Sequence, residues 1–231
     1  MSGDLALIVP SRGRPHSAAR LIKAVRETAA EQTHIYFALD ADDPALDLYQ
    51  QVFRELAFSG QAVIGLRDGL TGWTNALAVP LATKYNFLGS FGDDHVPVTY
   101  EWDARLMDAI RLMPGGVGYA YAEGGREGVP EGVVMSSAIV RALGWMALPS
   151  LRHFCIDHVW LDLGKAAGCI TYLPDVRVDH LHHTAGKSAL DETYAQAIHD
   201  NGEDIHEYGR WQESGFERDL ATLKNLIEER S

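Results

Sequence analysis

Apolar runs alternate with amphipathic stretches along the N-terminal part of the chain. Leu5-Ala6-Leu7-Ile8-Val9 contains no polar residue, which predicts a strand buried on both faces, as in a parallel sheet covered by helices. Pro10 stops it, and a loop from Ser11 to Pro15 leads into a helix over Ser17 to Glu31. His34 to Leu39 reads as a second strand. Asp42-Asp43-Pro44 then opens a helix, with an aspartate cap and proline at the first helical position. Leu46, Tyr49, Val52, Phe53 and Leu56 recur on one face of that helix. Ala62 to Leu66 is a third strand, Thr74 to Thr83 a helix, and Tyr85 to Phe91 a fourth strand.

Beyond it the pattern predicts a helix over 102–113, then changes character as glycines crowd 115–132. Gly132 to Ser136 reads as a strand, Ala138 to Leu143 as a helical turn, and Asp157 to Ala167 as a helix ended by Gly168. Cys169 to Leu173 is a late strand. The tail from Ser188 is helical, with Phe216, Leu220, Leu223 and Ile227 as its docking stripe. Strands alternating with helices argue for an α/β fold with a mostly parallel central sheet flanked by helices. No repeat or linker interrupts it, so residues 1–231 read as one domain.

In an open α/β sheet, ligands bind beyond the carboxyl ends of the strands. Those ends carry Ser11-Arg12-Gly13-Arg14, Asp40-Ala41-Asp42-Asp43, Arg67-Asp68-Gly69 and Asp93-Asp94-His95. Backbone around Pro10 to Arg12 and the Asp40 carboxylate can meet a ribose or base, and arginines with exposed amides can meet phosphate. Gly72-Trp73-Thr74-Asn75 reads as a loop and N-cap that would bring a helix start toward phosphate. Each segment also has a plainer reading: a capped helix start at Asp40 to Asp43, and a solvated loop at Arg12 and Arg14. No GxxxxGK[ST] loop is present and no GxGxxG follows the first strand, which counts against ATPase, GTPase and NAD-linked activities. Gly-x-Ser-x-Gly is also absent, against a serine hydrolase.

Asp93, Asp94 and His95 end an apolar strand, and a second polar knot, Asp179-His180-Leu181-His182-His183, follows another. Such groups cost about a few kcal/mol or more if buried unpaired, so the two knots suggest a divalent-cation site assembled by folding. Oxygen donors suit Mg²⁺ or Mn²⁺, and imidazole tilts the choice toward Mn²⁺. A loop closed by aspartate turns, with structural histidines, is the plainer alternative. Asp157 in Phe154-Cys155-Ile156-Asp157-His158-Val159-Trp160 is either a helix cap or, if it faces the crevice, a general base, a task His158 could also perform.

A net charge of −12 favours solubility and disfavours loose binding to nucleic acid or anionic membranes. Arg12, Arg14 and Arg20 nevertheless form a small basic cluster. Cys155 and Cys169 read as buried thiols of a reduced compartment, not as a disulfide. No apolar run is long enough to span a bilayer and Ser2-Gly3-Asp4 does not begin a signal-like segment, so stable membrane insertion is not expected and the cytoplasm is.

Over residues 4–183 the order of these features resembles the GT-A fold glycosyltransferases, particularly family 2. The likeness is carried by Leu7-Ile8-Val9-Pro10-Ser11-Arg12-Gly13-Arg14-Pro15, Asp40, Gly72 to Asn75, the Asp93-Asp94-His95 cluster, and Ile156-Asp157 through Gly168, Tyr172-Leu173-Pro174 and His180. The resemblance implies a GT-A-like sheet, with a nucleotide-binding half over about 1–100, an acceptor and metal half over about 101–187 and a helical tail over 188–231. It implies metal-dependent transfer of a sugar from a nucleoside-diphosphate sugar, UDP- or GDP-linked, to an acceptor hydroxyl, with inversion. Asp157 becomes the base, and Asp93, Asp94, His95 and His180 the metal set. Pro10, Ser11, Arg12, Arg14, Asp40, Asp42, Arg67, Gly72, Trp73, Asn75, Asp93 and Lys187 become donor-binding candidates. The family's DxD is not strictly matched. Either Asp94 is the principal ligand with Gly92 in the first acidic place, or Asp93 and His95 form a DxH, and Ile156 stands where glutamate is frequent. A nucleotidyltransferase and a non-catalytic sugar-nucleotide-binding module are the rival readings. The acceptor, including a DNA base that the charge does not favour, and the oligomeric state stay open.

Overall fold

The structure, a computed structural model, describes residues 4–30, 33–124, 128–181 and 192–231, with backbone alone for 192–200. Its centre is an eight-stranded mixed sheet in the order β3-β2-β1-β4-β7-β6-β8-β5. The strands are β1 (Leu5–Ser11), β2 (His34–Asp40), β3 (Gln61–Gly65), β4 (Phe87–Ser90), β5 (His95–Pro97), β6 (Tyr119–Glu123), β7 (Val133–Ser136) and β8 (Ile170–His180). β3, β2, β1 and β4 run parallel, β7 is antiparallel to both β4 and β6, β6 pairs parallel with β8, and β5 pairs antiparallel with β8. The fold class is the helix-flanked GT-A-like one expected from the sequence.

The unbroken apolar run of β1 explains its central position. Leu5, Leu7 and Val9 enter one core, and Ala6 and Ile8 the other. The first core is closed by α1 (Pro15–Thr28), α2 (Leu46–Glu55) and α4 (Trp102–Arg111), through Leu21, Ile22, Tyr49, Trp102 and Leu106 among others. The second is closed by α3 (Gly69–Leu81), α5 (Ser137–Leu143), α6 (Ile156–Ala167), α7 (Glu192–Ser214) and α8 (Phe216–Arg230). Leu220 and Leu223 of the tail are buried there, with Phe216 and Ile227 packed alongside. Each such buried side chain contributes about 1.5–3 kcal/mol, enough to hold an amphipathic helix onto the domain.

Three departures from the sequence pattern bear on the site. Helix α3 starts at Gly69, so Gly72 to Asn75 lie within it and are not the loop and N-cap expected. The N–H of Thr71 donates to the carbonyl of Arg152, a tertiary partner that no local signal announces. Strand β8 runs on to His180 although Pro174 interrupts it. The pairing with β6 jumps from Ala122↔Leu173 to Glu123↔Arg177, so Pro174 sits in a bulge where its missing N–H costs no ladder bond. The short strands β5 and β6 were hidden in polar and glycine-rich sequence, and β5 exists because β8 is long enough to pair with it.

One carboxylate ties the tail to the rest. Asp204 of α7 is 1% exposed and accepts the backbone N–H groups of Arg152, His153 and Phe154 at 2.7, 2.9 and 2.7 Å. Replacing Asp204 by Ala strands three part-buried donors. The expected loss is about 3 kcal/mol or more of unfolding free energy, read from urea denaturation. A loss below about 1 kcal/mol would show that water satisfies those amides instead.

Candidate functional site

The carboxyl ends of β1, β2 and β4 open into a cleft of ≈ 1640 Å³, well above the roughly 300–1,000 Å³ of an ordinary small-ligand site. It is lined from both halves of the chain, by the strand ends on one side and by α3, α6 and Arg152 to Cys155 on the other. Of the candidate residues, Pro10, Ser11, Arg12, Arg14, Asp40, Arg67, Gly72, Trp73, Asn75, Asp93, Asp94, His95, Asp157 and His180 all line this one cleft. Asp42 lies at its edge, exposed and paired with Arg12 at 2.5 Å. Lys187, with His182 and His183, lies outside the described residues.

At the floor, β5 and β8 bring His95 and His180 directly opposite each other. Their rings stack with centroids 4.3 Å apart and planes at 18°. Asp94 Oδ1 lies 3.4 Å from His180 Nε2 and 3.6 Å from His95 Nδ1. One donor atom from each of Asp94, His95 and His180 falls within 4.8 Å of the others. Gly92 makes the arrangement feasible, since a Cβ there would meet Asp94 Oδ1 at 2.6 Å. Asp93 faces elsewhere: Ser11 Oγ donates to it at 2.5 Å and Arg14 approaches at 3.5 Å.

Electrostatics sets the protonation pattern of this floor. Burial opposes the Asp94 charge, yet His180 and His95 outweigh it and hold its pKa well below the ordinary carboxylate range. Burial would also lower His180, but Asp94 and Glu131 overcome it and push that pKa up to about 9. His95 moves down, through burial and the neighbouring His180 charge. Burial pushes Asp93 up to about 7 against the pull of Arg14.

One buried carboxylate and two imidazoles form a donor set for a divalent transition ion. Their spacing suits donors converging on a common ion about 2.1 Å from each. His95 Nε2 is buried with no hydrogen-bond partner among the described residues, which marks the cluster as incompletely satisfied by protein alone. The residues fit a metal.

Above the floor, Asp40 accepts from Trp73 Nε1 at 2.7 Å and from Arg12 at 3.0 Å, with Arg67 at 4.0 Å. A relay runs from the Arg14 N–H to the Tyr49 hydroxyl (2.9 Å), from Tyr49 to Ser11 (2.6 Å), and on to Asp93. Asn75 is spent on structure: its amide pairs with the backbone of Met146 and Ala147. Across the cleft, Asp157 at the start of α6 accepts from the His158 N–H, and its Oδ1 lies 2.9 Å from His158 Nδ1. Two participants read differently from sequence: Tyr49 only as part of a helix face, and Glu131, whose Oε2 pairs with His180 Nδ1 at 2.9 Å, only within the glycine-rich stretch Glu123 to Glu131 expected to shape acceptor recognition.

No protein-family description matches this chain, and no curated protein sequence does. Solved structures do match in fold. The chain superposes with TM-score 0.58 on the mannosyltransferase PcManGT from Pyrobaculum calidifontis, solved with GDP-Man and Mn²⁺, at 10% identity over 99% of this chain and 75% of that one. Glucosyl-3-phosphoglycerate synthase from Mycobacterium tuberculosis, solved with Mn²⁺, UDP and glucosyl-3-phosphoglycerate, gives 0.59 at 9% identity, over 85% and 77%. S. aureus TarS 1-349 with UDP-GlcNAc gives 0.57 at 10% identity, over 83% of this chain. The chain spans only 60% of that TarS fragment and 36% of a longer TarS chain. At these identities the likeness establishes a glycosyltransferase-like fold. Among the described residues no helix is long and apolar enough to cross a membrane.

Mn²⁺ in about hundredfold excess over its dissociation constant should stabilise the protein by about 2.7 kcal/mol, visible as a rise in Tm. Asp94→Ala and His180→Ala should each abolish that rise. Variants that respond as the wild type does would put the ion elsewhere.

Proposed function

We propose that the protein is a metal-dependent glycosyltransferase that moves a sugar from a UDP- or GDP-sugar to an acceptor hydroxyl. The observation that carries this reading is the Asp94, His95 and His180 cluster, lying in the same cleft as Asp40 and Asp157. Such a cluster beside a nucleotide-sized cavity suits a diphosphate. The fold neighbours solved with Mn²⁺ and either GDP-Man or UDP support the same substrate class.

Asp94, His95 and His180 would hold the ion, which supplies charge neutralisation for a departing diphosphate. Two imidazoles among three protein donors favour Mn²⁺ over Mg²⁺. The Asp40 carboxylate, fixed by Trp73 and Arg12, would meet the nucleoside, and Arg67, 4.0 Å from Asp40, would meet phosphate. Lys187 is a further phosphate candidate from the sequence. On this reading the 1–100 half binds the nucleotide, and the 101–187 half serves the acceptor and completes the metal site through His180.

Asp157 takes the acceptor proton as the hydroxyl oxygen bonds to the anomeric carbon and the bond from that carbon to the diphosphate breaks. A single in-line displacement of this kind inverts the anomeric centre. Asp157 Oδ1 accepts the His158 N–H and lies 2.9 Å from His158 Nδ1, which orients the carboxylate at the start of α6 for this work. A nucleotidyltransferase would need Arg12 and Arg14 for a triphosphate, yet both are engaged by carboxylates.

Asp157→Asn should keep Mn²⁺-dependent donor binding within about threefold while nucleoside diphosphate release, assayed with a panel of hydroxyl acceptors, falls by about 100-fold or more. Donor binding is read by calorimetry. Unchanged turnover would remove Asp157 as the base, and absence of binding to any UDP- or GDP-sugar would overturn the substrate class.

A further inference from the structure

We infer that Glu131 is the positioning residue of the metal centre, holding the His180 ring so that Nδ1 keeps its proton and Nε2 faces the ion. The inference rests on the reading of Asp94, His95 and His180 as metal ligands. The two nitrogens of an imidazole lie on opposite edges of the ring, and here each edge meets a different carboxylate. Glu131 Oε2 stands 2.9 Å from Nδ1, while Asp94 Oδ1 stands 3.4 Å from Nε2. Only a neutral imidazole protonated at Nδ1 can use Nε2 as a ligand. A carboxylate accepting that Nδ1 proton fixes the tautomer, the ring plane and the basicity of the ligating nitrogen.

The surroundings leave the pair little freedom. The Glu131 and His180 side chains are 11% and 16% exposed, so bulk water is a poor substitute for either. The face of the His180 ring is covered by His95, and its backbone N–H donates to the Gly124 carbonyl. Glu131 is placed by the turn in which its own N–H donates to Val129, just before the chain enters β7. Gly132, between Glu131 and β7, lets the backbone run against the other metal-site ring. A Cβ there would lie 3.1 Å from both His95 and Phe91. One short segment therefore packs its backbone on His95 and its carboxylate on His180.

The test measures Co²⁺ affinity and the visible d–d spectrum of the full chain, without donor, for wild type, Glu131→Ala and Glu131→Gln. The alanine variant should bind Co²⁺ about 10–100-fold more weakly, with the band positions of the wild type, because the ligands themselves are unchanged. The glutamine variant should recover part of the loss, since its amide oxygen accepts the same proton without the charge. It also keeps the comparison valid should the alanine variant fold poorly. Alanine-variant affinity within about twofold of wild type would overturn the inference. So would a shifted spectrum in the glutamine variant, which would make Glu131 a ligand. Failure of the wild type to bind Co²⁺ at all would instead overturn the metal-centre reading itself.

Discussion

A carboxylate buried against the edges of two stacked imidazoles is the constraint around which this molecule is arranged. Asp94 loses most of its water on folding, a cost of several kcal/mol unless positive charge replaces it. His180 supplies that charge from 3.4 Å, with the His95 ring stacked on it, and the pair is held there because β5 and β8 place the two histidines on one rung. A three-residue strand at a sheet edge has little stability of its own. Its pairing is reinforced by the amide of Leu181, which donates to the Asp94 carbonyl, and by the stack of Phe91 on His95. Charge compensation and strand pairing therefore support each other, and a cation would complete what the protein groups leave unsatisfied.

The rest of the cleft is built outward from that floor by tertiary contacts between elements remote in sequence. The parallel strands β1 and β4 bring Ser11 beside Asp93, and Tyr49 reaches over from α2 to complete the relay. On the opposite wall, Asp204 fixes Arg152 to Phe154, and the Arg152 carbonyl in turn caps the start of α3. The same carboxylate thereby links α7 to the loop that delivers Asp157. Helix α7 is part of the cleft wall, with Asn201 and Ile205 among its lining.

Much of the fold was legible from periodicity. The all-apolar β1, the helical stripe through Tyr49 and Phe53, and the docking stripe of α8 each declare which faces are buried. What stayed hidden was decided by partners distant in the chain. Helix α3 begins at Gly69 because Arg152 supplies an acceptor, whereas Gly69 and Gly72 locally read as loop. Strand β8 passes through Pro174 because a bulge accommodates it. At the site, residue types revealed candidates without their grouping. Asp94 joins the two histidines and Asp93 joins Ser11 and Arg14, a division that adjacent aspartates cannot disclose. Glu131 is legible only as part of the glycine-rich Glu123 to Glu131 stretch that reads as acceptor-facing, and its pairing with His180 is set by the fold.

Function thus turns on where a cation sits when a sugar nucleotide is bound. A crystal of the full chain grown with Mn²⁺ and a UDP- or GDP-sugar, with data collected at the manganese edge, tests this directly. The predicted result is an anomalous peak within coordination distance of Asp94, His95 and His180, touching the donor's diphosphate. A peak held by other residues, or a bound donor whose diphosphate lies away from these three side chains, would contradict it.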